Sequence, residues 1–262
     1  MTNAPFRRVT TSFLALVLTL TVSFSAFAAG AGEEDPGIPD PVVVATDATW
    51  PPMEFLDSDR EIIGFDIDLM RAIADAAGFN VEFRNTAWDG IFAGLAAREY
   101  DAVISSVTIT EERQQNMDFS DPYINAGQVL VVPIDLADEV AALEDMEGMT
   151  VGAQIGTTGA MAVQEASGVD LATFDEVGLA FEDLAAGRID GVVADTPVAA
   201  NYALQNVSYA ESLTIVGEPF TDEFYGVAFP QGSDELREAV NDGLAQVQAD
   251  GTIDELIEQW LR

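Results

Sequence analysis

Cysteine, lysine and histidine are all missing from the 262 residues. Without cysteine there are no disulfides, and with none after the first apolar run there is no lipid attachment there either. Without histidine the commonest general acid or base is gone, and no nucleophile–base pair stands out among the remaining residues. Arginine is the only basic residue type: 10 arginines face 46 acidic residues, for a net charge of −36. A chain this acidic repels nucleic-acid phosphates, so no nucleic-acid partner is expected, and in dilute solution it repels itself. In molar salt the screening length falls to about 3 Å and the self-repulsion largely disappears. Carboxylate excess without lysine therefore reads as a halophilic acidic protein, a statement about its surroundings and not about its ligand. The 48 % hydrophobic content is that of a globular chain and excludes disorder. No second long hydrophobic run follows the first, which disfavours a membrane-joined sensor.

The first run itself is a basic start at Arg7-Arg8, an apolar stretch from Phe13 to Phe27, and Ala26-Phe27-Ala28. Together they predict a signal peptide over residues 1–28, cleaved near Ala28, and a periplasmic mature protein. The run is shorter than the roughly 20 residues that span a bilayer. Export by the general or the twin-arginine route fits equally. Cleavage removes two arginines and no acid, so the net charge falls from −36 to −38. Residues 29–41 (AGAGEEDPGIPDP) read as a flexible acidic leader.

From Val42 onward short β-branched runs alternate with helical stretches. Strands are expected near Val81–Arg84, Ala102–Ser105, Thr150–Ala153 and Gly191–Ala194. Helices are expected near Ile67–Ala77, Ile91–Arg98, Ala180–Ala186 and Glu235–Val247. That alternation predicts an α/β fold on mainly parallel sheets. An internal echo adds detail. LAAREYDAVISS from Leu95 and LAAGRIDGVVAD from Leu184 share Leu-Ala-Ala, an Asp six residues after the Leu and a Val two beyond it. The pair is either a chance likeness of a common helix–turn–strand unit or the mark of two lobes of like construction. Two lobes would place Ser106 and Asp195 at equivalent points past strand ends, where ligands of open α/β sheets bind. The chain is expected to cross between lobes near 124–128 (INAGQ) and 218–223 (EPFTDE), two strands that would act as a hinge. Lobe 1 then comprises 42–124 and 222–262, and lobe 2 comprises 125–221.

Candidate ligand-binding residues follow from chemistry at these ends. Thr110 precedes two acids, which suits a helix N-cap, and Arg113 leaves the first turn of that helix. With the hydroxyls and N–H groups of Ser106 and Thr108 free to donate, the cluster reads as a carboxylate receptor built on a bidentate guanidinium. The plain alternative is a surface arginine paired with one of many acids. In GAQIGTTGAM, free N–H groups at Thr157 and Thr158 suit an anion at a helix start, or mark an ordinary turn. The Gly-Lys-Ser/Thr ending of a nucleotide P-loop is lacking, so phosphate binding is not supported. Asp195, before Pro197, would hold an ammonium or merely cap a helix. Asp47 and Glu54 are further loop acids. Trp50 and Trp88 open loops after strands and suit the walls of a site, although core packing is the commoner role of tryptophan. An ammonium on Asp195 and a carboxylate on Arg113 describe an α-amino acid.

At this point the chain resembles the polar amino-acid-binding proteins of ABC importers, the third family of bacterial solute-binding proteins. GFDIDL (Gly64–Leu69), VTITEERQQNMDFSDPY, ADTP and the closing DGTIDELIEQWL carry the resemblance, which covers nearly everything from Val42 to Arg262. It implies a two-lobed periplasmic-binding-protein fold of type II, monomeric, that closes on an amino acid and delivers it to a membrane permease, with no catalysis and no cofactor. By position, Arg113 matches the arginine that holds the ligand carboxylate, with Ser106 and Thr108 beside it. Thr157 and Thr158 match second-lobe donors, Asp195 matches the acid on the ammonium, and Asp47, Trp50 and Trp88 match the side-chain pocket. Glutamine binders of the family have lysine where Gln154 stands and histidine where Ala194 stands, so glutamine is put in doubt. Ser105-Ser106 is more similar to binders of lysine, arginine, ornithine and histidine, whose acids and aromatic walls Asp47, Glu54, Trp50 and Trp88 would supply. A dicarboxylic ligand would need a second cation. A basic or polar amino acid is the expected ligand. An ectoine-type compatible solute, with its carboxylate and delocalised cation, is the alternative. A soluble dehydratase of like fold is the enzymatic one, with Glu54 and Asp195 its only acid–base candidates.

Overall fold

The computed structural model describes residues 1–2 and 37–262. The expected signal peptide and most of the expected leader thus lie outside the described residues. The leader's last residues are tied to the fold: Ile38 packs against the core, and Asn80 donates to Asp40 at 2.8 Å.

Along the chain come β1 (Val42–Thr46), β2 (Thr49–Trp50), β3 (Glu54–Leu56), β4 (Ile62–Ile63), α1 (Phe65–Ala77), β5 (Val81–Asn85), α2 (Ile91–Ala96), β6 (Ala102–Val103), α3 (Glu111–Gln114), β7 (Met117–Phe119) and β8 (Ile124–Asn125). Then follow β9 (Gln128–Pro133), β10 (Thr150–Gln154), α4 (Thr158–Glu165), β11 (Asp170–Phe174), α5 (Val177–Ala185), β12 (Gly191–Asp195), α6 (Thr196–Ala200) and β13 (Leu213–Val216). The chain ends in β14 (Phe224–Tyr225), β15 (Ala228–Pro230), α7 (Asp234–Ala249) and α8 (Thr252–Trp260). Among the described residues no helix is long and apolar enough to cross a membrane.

Two five-stranded sheets organise two lobes. Their orders are β5-β1-β6-β15-β7 and β11-β10-β12-β9-β13. In each, the first three strands are parallel, the fourth is antiparallel to its neighbours, and the fifth returns to the first direction. One strand of five is therefore reversed in each sheet. In the first sheet it is β15, which returns after the whole second sheet; in the second it is β9, the first strand to enter it. Central strands such as β1 (VVVAT) and β12 (GVVAD) are buried along almost their whole length, as strands covered on both faces must be.

The sequence echo has a structural cause. The Asp101 carboxylate accepts the N–H of Val43 on β1 at 2.8 Å, while the Asp101 N–H donates to the Val43 carbonyl. Asp190 does the same with Thr150 on β10, also at 2.8 Å. Each Asp locks its helix–turn–strand unit to the neighbouring parallel strand, so the spacing repeats because the sheet geometry does. Ser106 and Asp195 consequently sit beyond equivalent strands.

Helix α1 buries Phe65, Ile67, Leu69, Met70, Ile73 and Ala74 along one face and ends at Gly78 in the left-handed conformation. It packs against α7, whose Leu236, Val240, Leu244 and Val247 form the matching stripe. Its start is fixed by Gly64, at φ 133°, where a Cβ would collide with the Met53 carbonyl. The close approach lets the Asp66 N–H donate to that carbonyl at 2.9 Å and brings the helix start against the β3 hairpin strand. The antiparallel pair β8–β14 joins the two chain crossings, and Asn125 donates to Asp222 beside it at 2.5 Å.

Candidate functional site

The carboxyl ends of the parallel strands of both sheets face one cavity. Its lining is formed by Asp47, Trp50, Glu54, Trp88, Ser105, Ser106, Thr108 and Arg113 from the first lobe and Gln154, Thr157, Thr158 and Asp195 from the second. The cavity has a volume of about 320 Å³, open solvent at its mouth included. All twelve residues singled out in the sequence are brought together here.

Arg113 sits on α3, which Thr110 caps by accepting the Arg113 N–H at 3.1 Å. Its side chain is 9 % exposed. Nη1 donates to the Thr108 carbonyl at 2.9 Å and Nη2 reaches the Gly156 carbonyl of the other lobe at 3.5 Å. The guanidinium lies 5.4 Å from the Trp88 ring centre and 5.0 Å from that of Phe92. Among the described residues no carboxylate lies within 4.0 Å of it, whereas Arg71, Arg188, Arg237 and Arg262 each have one. The surface-pair alternative is thereby removed: this arginine is buried, held by carbonyls and aromatic faces, and lacks an ion pair. Burial pulls its pKa down, and the carboxylates of Asp195 and Glu223 pull it back up.

Asp195 stands at the N-cap position of α6 but makes no capping bond. Instead its Oδ1 accepts from Gln128 Nε2 at 2.8 Å inside the cavity wall. Burial, and then repulsion from Glu223, push its pKa up to about 7. Capping as its role is therefore excluded.

Ser106 and Thr108 are not the free donors expected from the sequence. Ser106 adopts φ 50°, a left-handed conformation uncommon outside glycine, and its N–H is spent on Asp66 at 2.7 Å. The Thr108 hydroxyl donates to Glu223 at 2.8 Å, and the Thr158 hydroxyl donates to the same oxygen at 2.7 Å. What needs these donors is a buried carboxylate already in the protein. Thr157 caps α4 by accepting the Ala160 N–H and donates its hydroxyl to the Gln154 carbonyl. The Thr158 N–H occupies the first helical position, ahead of the helix's own bonds.

The opposite end is acidic. Asp47, beyond β1, accepts from Thr49 at 2.9 Å and from Gln154 Nε2, across the lobes, at 2.9 Å. Burial raises its pKa and these bonds oppose the rise. Asp47 N–H donates to Ser105 Oγ at 3.0 Å, and Ser105 Oγ donates to Glu54 at 2.9 Å. Glu54 is completely buried. Trp50 and Trp88 serve two purposes, since both line the cavity and both pack in the hydrophobic cores. β2, with Trp50, also packs against α5 of the other lobe.

Sequence reasoning missed Glu223, Gln128, Asp66 and Phe92. The first two lie in the stretches expected as crossings and the third in the GFDIDL signature, but partners 65 to 115 residues away give Glu223 its position. Phe92, one residue past the start of α2, supports the Arg113 guanidinium from outside the cavity lining.

Among proteins of known family, the model of "Bacterial extracellular solute-binding proteins, family 3" matches residues 42–262. The chain is 39 % identical over 222 residues to a probable histidine-binding protein of Neisseria gonorrhoeae, covering 83 % of this chain and 81 % of that one. It is 34 % identical over 251 residues to ABC transporter arginine-binding protein 1 of Escherichia coli K12, covering 94 % and 98 %. A solved ancestral arginine-binding protein bound to arginine superposes with a TM-score of 0.81 at 42 % identity, over 86 % of this chain and 100 % of that one.

Proposed function

The chain belongs to the bacterial extracellular solute-binding proteins, family 3, and from that premise we propose that it captures a basic or polar amino acid in the periplasm and delivers it to the permease of an ABC importer. The observation that carries this is Arg113, a buried guanidinium without an ion pair among the described residues, sharing a cavity with the buried Asp195. Burial disfavours both charges, and a zwitterion relieves both: its carboxylate pairs with Arg113 and its ammonium with Asp195. Among the described residues Arg113 is the one basic group lining the cavity, so a second ligand carboxylate has no partner there. Asp47 and Glu54, between the tryptophans, favour a cationic side chain. Arginine, lysine and ornithine therefore rank first.

Lobe closure is part of the proposal. The Gln154–Asp47 bond, the Arg113–Gly156 contact and the Glu223 carboxylate shared by Thr108 and Thr158 all bridge residues from both sides of the cleft. Because these contacts join the two sides, an amino acid is taken up as the lobes part, hinging at the β8–β14 pair and along 124–128 and 218–223. With 42–124 and 222–262 as lobe 1 and 125–221 as lobe 2, the protein acts as a monomer.

A thermal-shift panel in molar salt tests the assignment, with arginine, lysine, ornithine, histidine, citrulline, glutamate and ectoine. A ligand at 100 times its dissociation constant adds about 2.7 kcal/mol of stability. Shifts confined to basic and polar amino acids are expected. A shift with ectoine alone would keep the two-lobed binder and overturn the ligand class.

A further inference from the structure

Glu54 and Asp66 are both fully buried and lie against one another, Glu54 lining the cavity and Asp66 behind it on α1. One serine hydroxyl, Ser106 Oγ, lies 3.5 Å from each of them. The remaining donors are unevenly shared. Asp66 Oδ2 takes the Ser106 N–H at 2.7 Å and the Tyr123 hydroxyl at 2.9 Å, and Glu54 takes the Ser105 hydroxyl. Among the described residues Asp66 Oδ1 has no N–H or hydroxyl donor, although it is inaccessible to solvent. A Glu54 carboxyl that keeps its proton is able to supply the missing donor.

The charges that act most strongly on Glu54 are negative. Asp66 on α1 and Asp47 at the end of β1 act on Glu54, and Asp195 of the other lobe acts on Tyr123 between them. Two neighbouring buried carboxylates that share one hydroxyl disfavour each other's ionisation. Burial first, and the Asp66 charge second, raise Glu54 well above the ordinary carboxyl range, while burial raises Asp66 to about 6.

We propose, building on the amino-acid-binding function above, that Glu54 and Asp66 hold one proton between them and that a ligand with a cationic side chain expels it on binding, whereas a ligand with a neutral side chain leaves it in place. The O–H bond of Glu54 breaks, the proton passes to the buffer, and the carboxylate left behind pairs with the ligand cation. Glu54 thereby sets specificity through its protonation: as the pH rises the site favours a cationic side chain, and as it falls the site tolerates a neutral one.

Asp195 complicates a simple proton count, because the ligand ammonium also displaces any proton it carries. Arginine and citrulline separate the two. They share the same amino-acid head and nearly the same shape, but only arginine is charged at the far end. Titration calorimetry at pH 7 in molar salt, repeated in buffers of different ionisation heat, counts protons released. Arginine is expected to release about one more than citrulline, and its affinity to rise with pH more steeply, by up to tenfold per unit. In Glu54→Gln, and more weakly in Asp66→Asn, that difference should shrink. Equal proton counts for the two ligands in the unaltered protein would overturn the shared proton while leaving amino-acid binding intact. Failure of both ligands to bind would instead overturn the binding function and this inference with it.

Discussion

At the scale of single residues, Arg113 and Asp195 have complementary difficulties: each is a charge that burial disfavours and that has no ion-pair partner among the described residues. Arg113→Lys keeps the charge but loses the planar fork and the stacking on Trp88 and Phe92, so ligand affinity should fall at least tenfold by calorimetry, with little change in unfolding temperature. Asp195 makes a statement about stability. Its carboxyl has a folded pKa of about 7, above the unfolded value near 3.8, and Asp66 follows at about 6. Between those values the folded protein binds more protons than the unfolded one, so stability falls as pH rises. Ligand-free protein in molar salt should thus unfold at a higher temperature at pH 5 than at pH 7.5. Asp195→Asn should flatten part of that slope, and an unchanged slope would contradict the buried, ligand-free acid described here. The cavity-lining residues were readable because types with chemistry stand at strand ends and helix starts, positions that the α/β pattern reveals. Glu223 and Gln128 were not, since their significance comes only from hydroxyls and carboxylates far away along the chain.

At the scale of elements, the GFDIDL stretch shows why a local sequence can be so demanding. Gly64 lets α1 start in contact with the Met53 carbonyl, and that contact delivers Asp66 to Glu54 and Ser106. Gly64→Ala meets both a positive φ and a backbone carbonyl, and should cost about 2 kcal/mol or more of stability in denaturant unfolding. An effect near zero would mean that the helix start shifts freely. Most element positions could be expected from periodicity, and ends were the weaker part: α5 begins at Val177, one turn before the expected Ala180, because Val177 is itself a core residue. The reversed strand in each sheet was invisible in the sequence, as a buried β-branched run does not record its direction.

At the scale of the whole molecule, the charge and the cleft make separate demands. A net charge of −36, with only isolated surface ion pairs among the described residues, leaves strong self-repulsion at low ionic strength. The unfolding temperature should rise steadily from about 0.1 M to molar salt, where the screening length drops from about 10 to 3 Å. A flat response would remove the halophilic reading and leave the cleft untouched. The two sheets share one strand order, and both turn the ends of equivalent strands toward the same space. The most direct measurement is a calorimetric titration of ligand-freed protein with L-arginine in molar salt, beside Arg113→Ala. One-site binding that weakens by at least a few kcal/mol in the variant, which keeps its fold, is the predicted result. Equal affinity in the two proteins, or no binding of arginine by the unaltered one, would contradict it.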